Sequence, residues 1–138
     1  KDRDYNRLEL ATRILTPSYV SFETVLAREG LIFQFYTSIF VASYANRELS
    51  VDTQSYIFRR IKSEILLDST GVKHVDHTSM AIKERAFLDT LYLNQDFYFD
   101  NLRGMDWDLV HTILPIYKNQ RLVRTINRIY KKEQKSLV

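Results

Sequence analysis

The sequence predicts an α+β fold, a small, mainly antiparallel sheet of three to four strands packed with about five helices. Three observations predict it. Apolar residues recur at three- and four-residue steps near both ends of the chain, which is helical spacing. The middle carries runs of β-branched and aromatic residues separated by turn signals. Those runs follow one another on short links, which favours antiparallel neighbours.

Length and composition agree with that class. At 138 residues the chain is expected to form one domain, residues 1–138, able to bury a core without staples. Hydrophobic residues at 45% and charged residues at 27% are ordinary globular values, and nine Tyr and eight Phe predict a core rich in rings. There is no Cys, which removes a disulfide framework, a thiolate metal site and a Cys nucleophile together. No apolar run approaches the ~18 residues of a membrane span. The opening Lys1-Asp2-Arg3-Asp4 lacks both an initiator Met and any likeness to a signal peptide. We therefore expect a cytoplasmic protein with no membrane partner, its start lying inside a longer gene product or trimmed away.

The elements follow in order. Asp4 to Leu15 reads as a helix with Leu8, Ala11, Ile14 and Leu15 inward, stopped by Pro17. Next comes a short helix with both ends written out. Ser21 falls at the N-cap, where its hydroxyl accepts from a first-turn N–H. Val20 and Val25 occupy the positions of a hydrophobic staple, and Glu23 suits the positive end of the dipole. Gly30 takes the left-handed position after the last turn, so that Leu31 folds back on Leu26 in a Schellman ending. Ile32 to Ser43 is a long apolar run; its second half reads as a strand buried on both faces, and its first half equally fits a helical extension.

Arg47 to Val51 and Ser55 to Ile61 read as a hairpin around Asp52-Thr53-Gln54, with Tyr56, Phe58 and Arg60 on one face and Ser55, Ile57, Arg59 and Ile61 on the other. Asp68-Ser69-Thr70-Gly71 is a turn, and Val72 to His77 a further strand. Ile82 to Leu93 forms a long helix with Phe87, Leu88, Leu91 and Tyr92 on its apolar side and Glu84 and Arg85 away from it. Asn94 to Gly104 reads as a loop. Asp106 caps a helix through Trp107, Val110, His111 and Leu114 that Pro115 closes or kinks. The last helix starts near Asn119, with Leu122, Val123, Ile126, Ile129 and Tyr130 inward.

Few residues point to chemistry. His74 and His77 form the single His pair, but three positions apart on a strand they face opposite ways, which is poor ligand geometry. His111 is isolated. Asp52, Glu64, Asp96, Asp100, Asp106 and Asp108 are scattered through loops, without an Asp…Glu-X-Lys nuclease pattern, and no glycine-rich phosphate loop or nucleophile elbow is present. No catalytic residue, cofactor or metal is assigned. Asp89 stands mid-helix among Phe87, Leu88 and Leu91, where a half-buried ion pair with Arg59 or Arg60 is expected in preference to a partner contact.

Charge is the stronger signal. From Lys118 onward there are seven basic residues and one acid, Glu133, so this stretch carries +6 and residues 1–117 carry −3 of a total of +3. Arg121, Arg124, Arg128, Lys131, Lys132 and Lys135 recur at helical steps opposite Leu122, Ile126 and Ile129. They form a basic stripe of roughly 20 Å at the helical rise. It fits phosphates of DNA or RNA, an acidic partner protein, or plain solvation. No side chain there predicts base readout, so nucleic-acid binding through it would be salt-sensitive and weakly specific.

Two blocks carry a family resemblance. Pro17-Ser18-Tyr19-Val20-Ser21, followed by an apolar helix that ends Gly30-Leu31-Ile32, resembles the C-terminal domain of AbiEi-type antitoxins of type IV toxin–antitoxin and phage-defence systems. Met80-Ala81-Ile82-Lys83-Glu84-Arg85-Ala86-Phe87-Leu88-Asp89-Thr90-Leu91-Tyr92-Leu93 is similar to that family's small apolar pair, Glu-Lys/Arg step and Ala-Leu-Leu-Asp-Leu-Leu run. The blocks stand in the family's order and at about its spacing, within a resemblance covering roughly residues 8 to 130. It implies a non-catalytic antitoxin domain that antagonises a nucleotidyltransferase-like toxin encoded alongside, with or without direct contact. Such proteins join this domain to an N-terminal winged helix-turn-helix that represses their own operon. Only fifteen residues precede Thr16, so neither that module nor operator binding through it is expected within this chain.

Overall fold

The computed structural model describes residues 2–136, with side chains from Arg7 onward. The elements in chain order are α1 (Asp2–Ile14), β1 (Ser18–Val20), α2 (Phe22–Arg28), β2 (Ile39–Ser43), β3 (Arg47–Val51), β4 (Gln54–Arg60), α3 (Ser63–Leu66), β5 (Val72–Val75), β6 (Thr78–Ala81), α4 (Lys83–Leu93), α5 (Trp107–Ile113) and α6 (Gln120–Ser136). A 3-10 turn, Leu114–Tyr117, links α5 to α6. The class is α+β, as expected.

The sheet is larger than the three to four strands expected, and it is mixed. Its order is β3-β4-β2-β1-β6-β5. The expected hairpin β3–β4 is present, but β4 inserts between β3 and β2 and therefore runs parallel to β2. β1 runs antiparallel to β2 and parallel to β6. The predicted strand Val72 to His77 is in fact a strand and a turn. Asp76 and His77 adopt positive φ of 48° and 68° and return the chain as β6, just as Asp52 and Thr53 at 50° and 67° return β3 as β4. Two-residue hairpin turns of type I′ require positive φ at both central residues, which the common Asn-Gly and Asp-Gly pairs advertise. Asp-Thr and Asp-His give that signal only weakly.

The capped helix divides into one end as expected and one that differs. Gly30 adopts φ +80°, and the Leu31 N–H donates to the Leu26 carbonyl at 2.9 Å, the six-to-one bond of a Schellman ending. At the other end Ser21 stands at the N-cap, but its hydroxyl makes no cap bond. Its backbone N–H donates to Phe40 O at 3.1 Å instead, which stitches the start of α2 to β2.

Beyond Gly30 the first half of the apolar run does not extend the helix. Residues 32–38 are irregular, and Phe33 and Phe35 point outward at 72% and 87% exposure. The Asp100 and Asn101 N–H groups both donate to Leu31 O, while Asp100 Oδ2 accepts from the Phe33 N–H at 2.8 Å, tying this segment to the loop after α4.

The core lies between the sheet and the helices. Every residue of β2 is buried, as the sequence predicted, and Tyr56 and Phe58 of β4 turn the same way into the core. α4 is the central helix. All residues from Glu84 to Leu91 are buried, because α2, α5 and β6 pack against it from different sides. Glu84 and Arg85 therefore do not face away from the apolar side in any useful sense; both are inside. Asp106 caps α5 as expected, accepting from the Leu109 N–H at 3.2 Å, and Pro115 falls in the 3-10 turn that ends it.

Candidate functional site

Two polar features stand out, one buried and one exposed. The buried one is centred on Asp89, which is fully enclosed and pairs with neither Arg59 nor Arg60. Oδ1 accepts from the Tyr117 hydroxyl at 2.6 Å, and Oδ2 accepts from the Tyr19 and Ser21 hydroxyls, each at 2.8 Å. Arg85, one turn earlier on α4, approaches to 3.6 Å. Its five N–H donors are all used. Nε and Nη2 donate to the Tyr19 oxygen at 3.2 and 2.9 Å, Nη2 also to Ile65 O at 2.8 Å, and Nη1 to Asp68 O and Thr70 O at 2.7 and 2.6 Å. A buried charge is tolerable when its partners are this complete, and costly when one is removed.

Burial raises the Asp89 carboxyl above its ordinary value of 3.8, while Arg85 and the three hydroxyls pull it back. Burial and the Asp89 charge together push the Tyr19 and Tyr117 phenols well above 10.0, so both remain donors at neutral pH. The network is a structural clamp joining β1, the start of α2, α4 and the 3-10 turn. Its Asp89, Arg85, Tyr19, Ser21 and Tyr117 side chains are all buried and bonded within the fold.

The two arginines expected near Asp89 are placed elsewhere. Arg59 forms a two-pronged bond to Glu23 at 2.8 and 3.1 Å and lies over the Phe22 and Phe40 rings, 5.1 and 4.7 Å from their centroids. Arg60 is exposed, and its backbone N–H donates to Asn46 Oδ1. Period-two alternation put Arg59 and Arg60 on opposite faces correctly, but sequence spacing gives no distance to α4.

The exposed feature is the basic stripe. Arg121, Arg124, Arg128, Lys131, Lys132 and Lys135 are all exposed on α6, while Leu122, Thr125 and Ile126 are buried on its other side. At about 100° per residue the six cations fall within an arc of about 100°, centred well away from the buried face. Among the described residues none of the six joins an ion pair. A helix face that keeps its cations unpaired and clustered has a positive potential suited to a polyanion.

The titratable residues do not converge. His74 is exposed and its Nδ1 pairs with Ser79 Oγ at 3.0 Å, His77 sits in the β5–β6 turn, and His111 Nδ1 pairs with Trp107 O at 2.8 Å. Asp52, Glu64, Asp96, Asp100, Asp106 and Asp108 are all exposed and separately placed. Among the described residues no three His, Cys, Asp or Glu side chains come together as a group suited to a metal ion. None of the described helices is long and apolar enough to cross a membrane.

Two grooves open on the surface. One, of about 980 Å³, lies between α1, α2, residues 35–39 and the β3–β4 turn. The other, of about 410 Å³, lies between Gln95–Leu102 and the last turns of α6. Sequence reading missed the second groove, because it is made by a loop and a helix that are far apart in the chain. Tyr117 was missed as a partner of Asp89 for the same reason, whereas Arg85, one turn away on α4, was missed because it was read as facing away from the apolar side.

Compared with known proteins, the chain matches no family model, no curated protein and no solved structure.

Proposed function

We propose that this chain is a non-catalytic antitoxin or regulatory domain of a prokaryotic type IV toxin–antitoxin, phage-defence locus, working in the cytoplasm against a nucleotidyltransferase-like toxin. In the full-length protein the same domain would sit beside a DNA-binding module that represses the operon. One observation carries the reading. The two stretches that resemble AbiEi-type antitoxins are the stretches whose side chains meet inside the molecule. Tyr19 and Ser21 come from the first block, Arg85 and Asp89 from the second, and together they make the buried clamp. A resemblance that falls on one interlocked, fold-defining constellation has a physical reason to recur, which scattered similar residues lack. The step from shared domain to shared activity is one of analogy.

Growth rescue tests it. The toxin encoded alongside is induced in cells that carry this chain on a constitutive promoter of unrelated sequence. Rescue is expected, and would put the antagonism in this domain without operon repression. Growth arrest in the presence of soluble chain would overturn the proposal.

The clustered, unpaired cations of α6 favour a second reading, a nucleic-acid-binding module. Anisotropy titration against duplex DNA at about 50 mM and about 200 mM salt is expected to show steeply salt-dependent binding. The Arg121→Ala, Arg124→Ala, Arg128→Ala triple variant should lose most of it. No binding at the lower salt, or binding untouched by those substitutions, would remove this reading.

A further inference from the structure

The groove beside α6 has contents that the stripe alone does not explain. Tyr98, Phe97, Arg128, Lys132, Asp96 and Glu133 all line it. Its volume of about 410 Å³ falls in the ~300–1,000 Å³ range of small-molecule sites. Tyr98 is 77% exposed although both its neighbours are anchored. Phe97 packs on Phe99 with centroids 4.9 Å apart, and Phe99 packs on Phe87 of the central helix at 4.8 Å. With a fixed ring on each side, the Tyr98 ring is held out toward solvent, which cuts the ordering cost of stacking something on it.

We propose that this groove binds single-stranded nucleic acid, one base stacking on Tyr98 while the backbone phosphates run along Arg128, Lys132 and the adjoining cations of α6. The inference rests on the polyanion reading of α6 and names the form of polyanion. An aromatic platform beside a cationic track is the arrangement by which proteins hold unpaired strands, since every base has a π-face. In a duplex the bases are stacked internally and their faces cannot reach Tyr98. The carboxylates of Asp96 and Glu133 fit the same orientation. They repel phosphate from the groove itself and accept N–H donors on base edges, so the strand lies with its backbone on the helix and a base turned in.

The test is anisotropy of fluorescein-labelled twelve-nucleotide oligothymidylate and oligouridylate, with a duplex of mixed sequence alongside. The probes distinguish DNA from RNA as the source of the strand. Tyr98→Ala is expected to weaken single-strand binding about tenfold and leave duplex binding unchanged. Tyr98→Phe should retain binding because the ring remains, and Leu67→Ala, at another exposed apolar residue, should change nothing. If Tyr98→Ala binds single strands as well as the parent chain does, while Arg124→Ala, Arg128→Ala and Lys132→Ala together abolish binding, the groove is overturned and the stripe survives. If the parent chain binds no oligonucleotide at about 50 mM salt, both fall.

Discussion

Arg85 and Asp89 stand one helical turn apart on α4, both without exposed surface, and yet their closest approach is 3.6 Å. The Tyr19 oxygen bridges them, accepting two bonds from the guanidinium and donating one to the carboxylate. A charge pair relayed through a phenol depends on a residue of a different element, so the clamp reports on tertiary structure and not on α4 alone.

Asp89→Asn should cost about 1–3 kcal/mol at neutral pH, because an amide NH2 that cannot accept replaces one of the oxygens to which the Tyr117, Tyr19 and Ser21 hydroxyls donate. The pH dependence has a definite sign. Burial raises the folded-state value of Asp89 above 3.8, so the folded protein binds this proton more tightly than the unfolded chain. The stability linked to it is present below about 3.8 and is lost as pH rises through the raised value. Urea midpoints of the parent and Asp89→Asn should therefore move further apart as pH is lowered from 7 toward 4. A gap that narrows on acidification would mean that Arg85 and the hydroxyls outweigh burial.

Gly71→Ala should be more destabilising than Gly30→Ala, although the two glycines share φ near +80°. A Cβ at Gly30 meets nothing within 4 Å, so only the left-handed conformation is penalised, at about 1 kcal/mol. A Cβ at Gly71 lies 2.9 Å from Ile113 Cδ1 and 3.1 Å from Arg85 Cβ, where the clamp leaves little room to yield. We expect about 2–4 kcal/mol there. Thermal melts that rank the two variants the other way would refute the close packing around Arg85.

Thr78→Val should leave stability unchanged or raise it by about 1 kcal/mol. Thr78 is buried, and its Oγ1 lacks a hydrogen-bond partner. An unpaired hydroxyl in the interior is a desolvation loss that a methyl of similar volume removes. A clear drop in urea midpoint would show that the hydroxyl has a partner after all.

Removing the cations of α6 should not unfold the protein. Arg121, Arg124 and Arg128 are exposed and unpaired, so alanine at each should change stability by no more than about 0.5 kcal/mol. The salt dependence of any nucleic-acid binding should flatten by about one in log–log slope for each phosphate that the variant no longer neutralises. Circular dichroism melts beside the titrations would separate the two effects. A cooperative loss of structure would mean that the stripe serves the fold.

What the sequence revealed was what neighbouring residues decide. The ending of α2 was legible because Gly30 and Leu31 settle it locally, and so was the exposure of the α6 cations, since it follows from the apolar residues opposite them. Partners far along the chain were not legible. Ser21 has the right residue type and position for a helix cap, but its hydroxyl bonds to Asp89 because the fold brings an enclosed carboxylate to it. Arg85 looked like a solvent residue, as a charge on an amphipathic helix normally is. Only the covering of α4 from several sides puts it inside, and no periodicity records that. β1 is three residues long and fits a helix approach as well as a strand.

β1 nonetheless fixes what can be cut from this molecule. Among the described strands it alone joins the β3-β4-β2 half of the sheet to the β6-β5 half, through Val20 paired with Val41 on one side and Met80 on the other. During synthesis the first half emerges well before the second, and until β6 arrives one side of β1 offers unpaired backbone groups flanked by buried apolar side chains. Such an edge accepts a strand from another copy. A fragment ending before Thr78 would carry that open edge permanently, and would be driven to self-associate rather than stand as a half-domain.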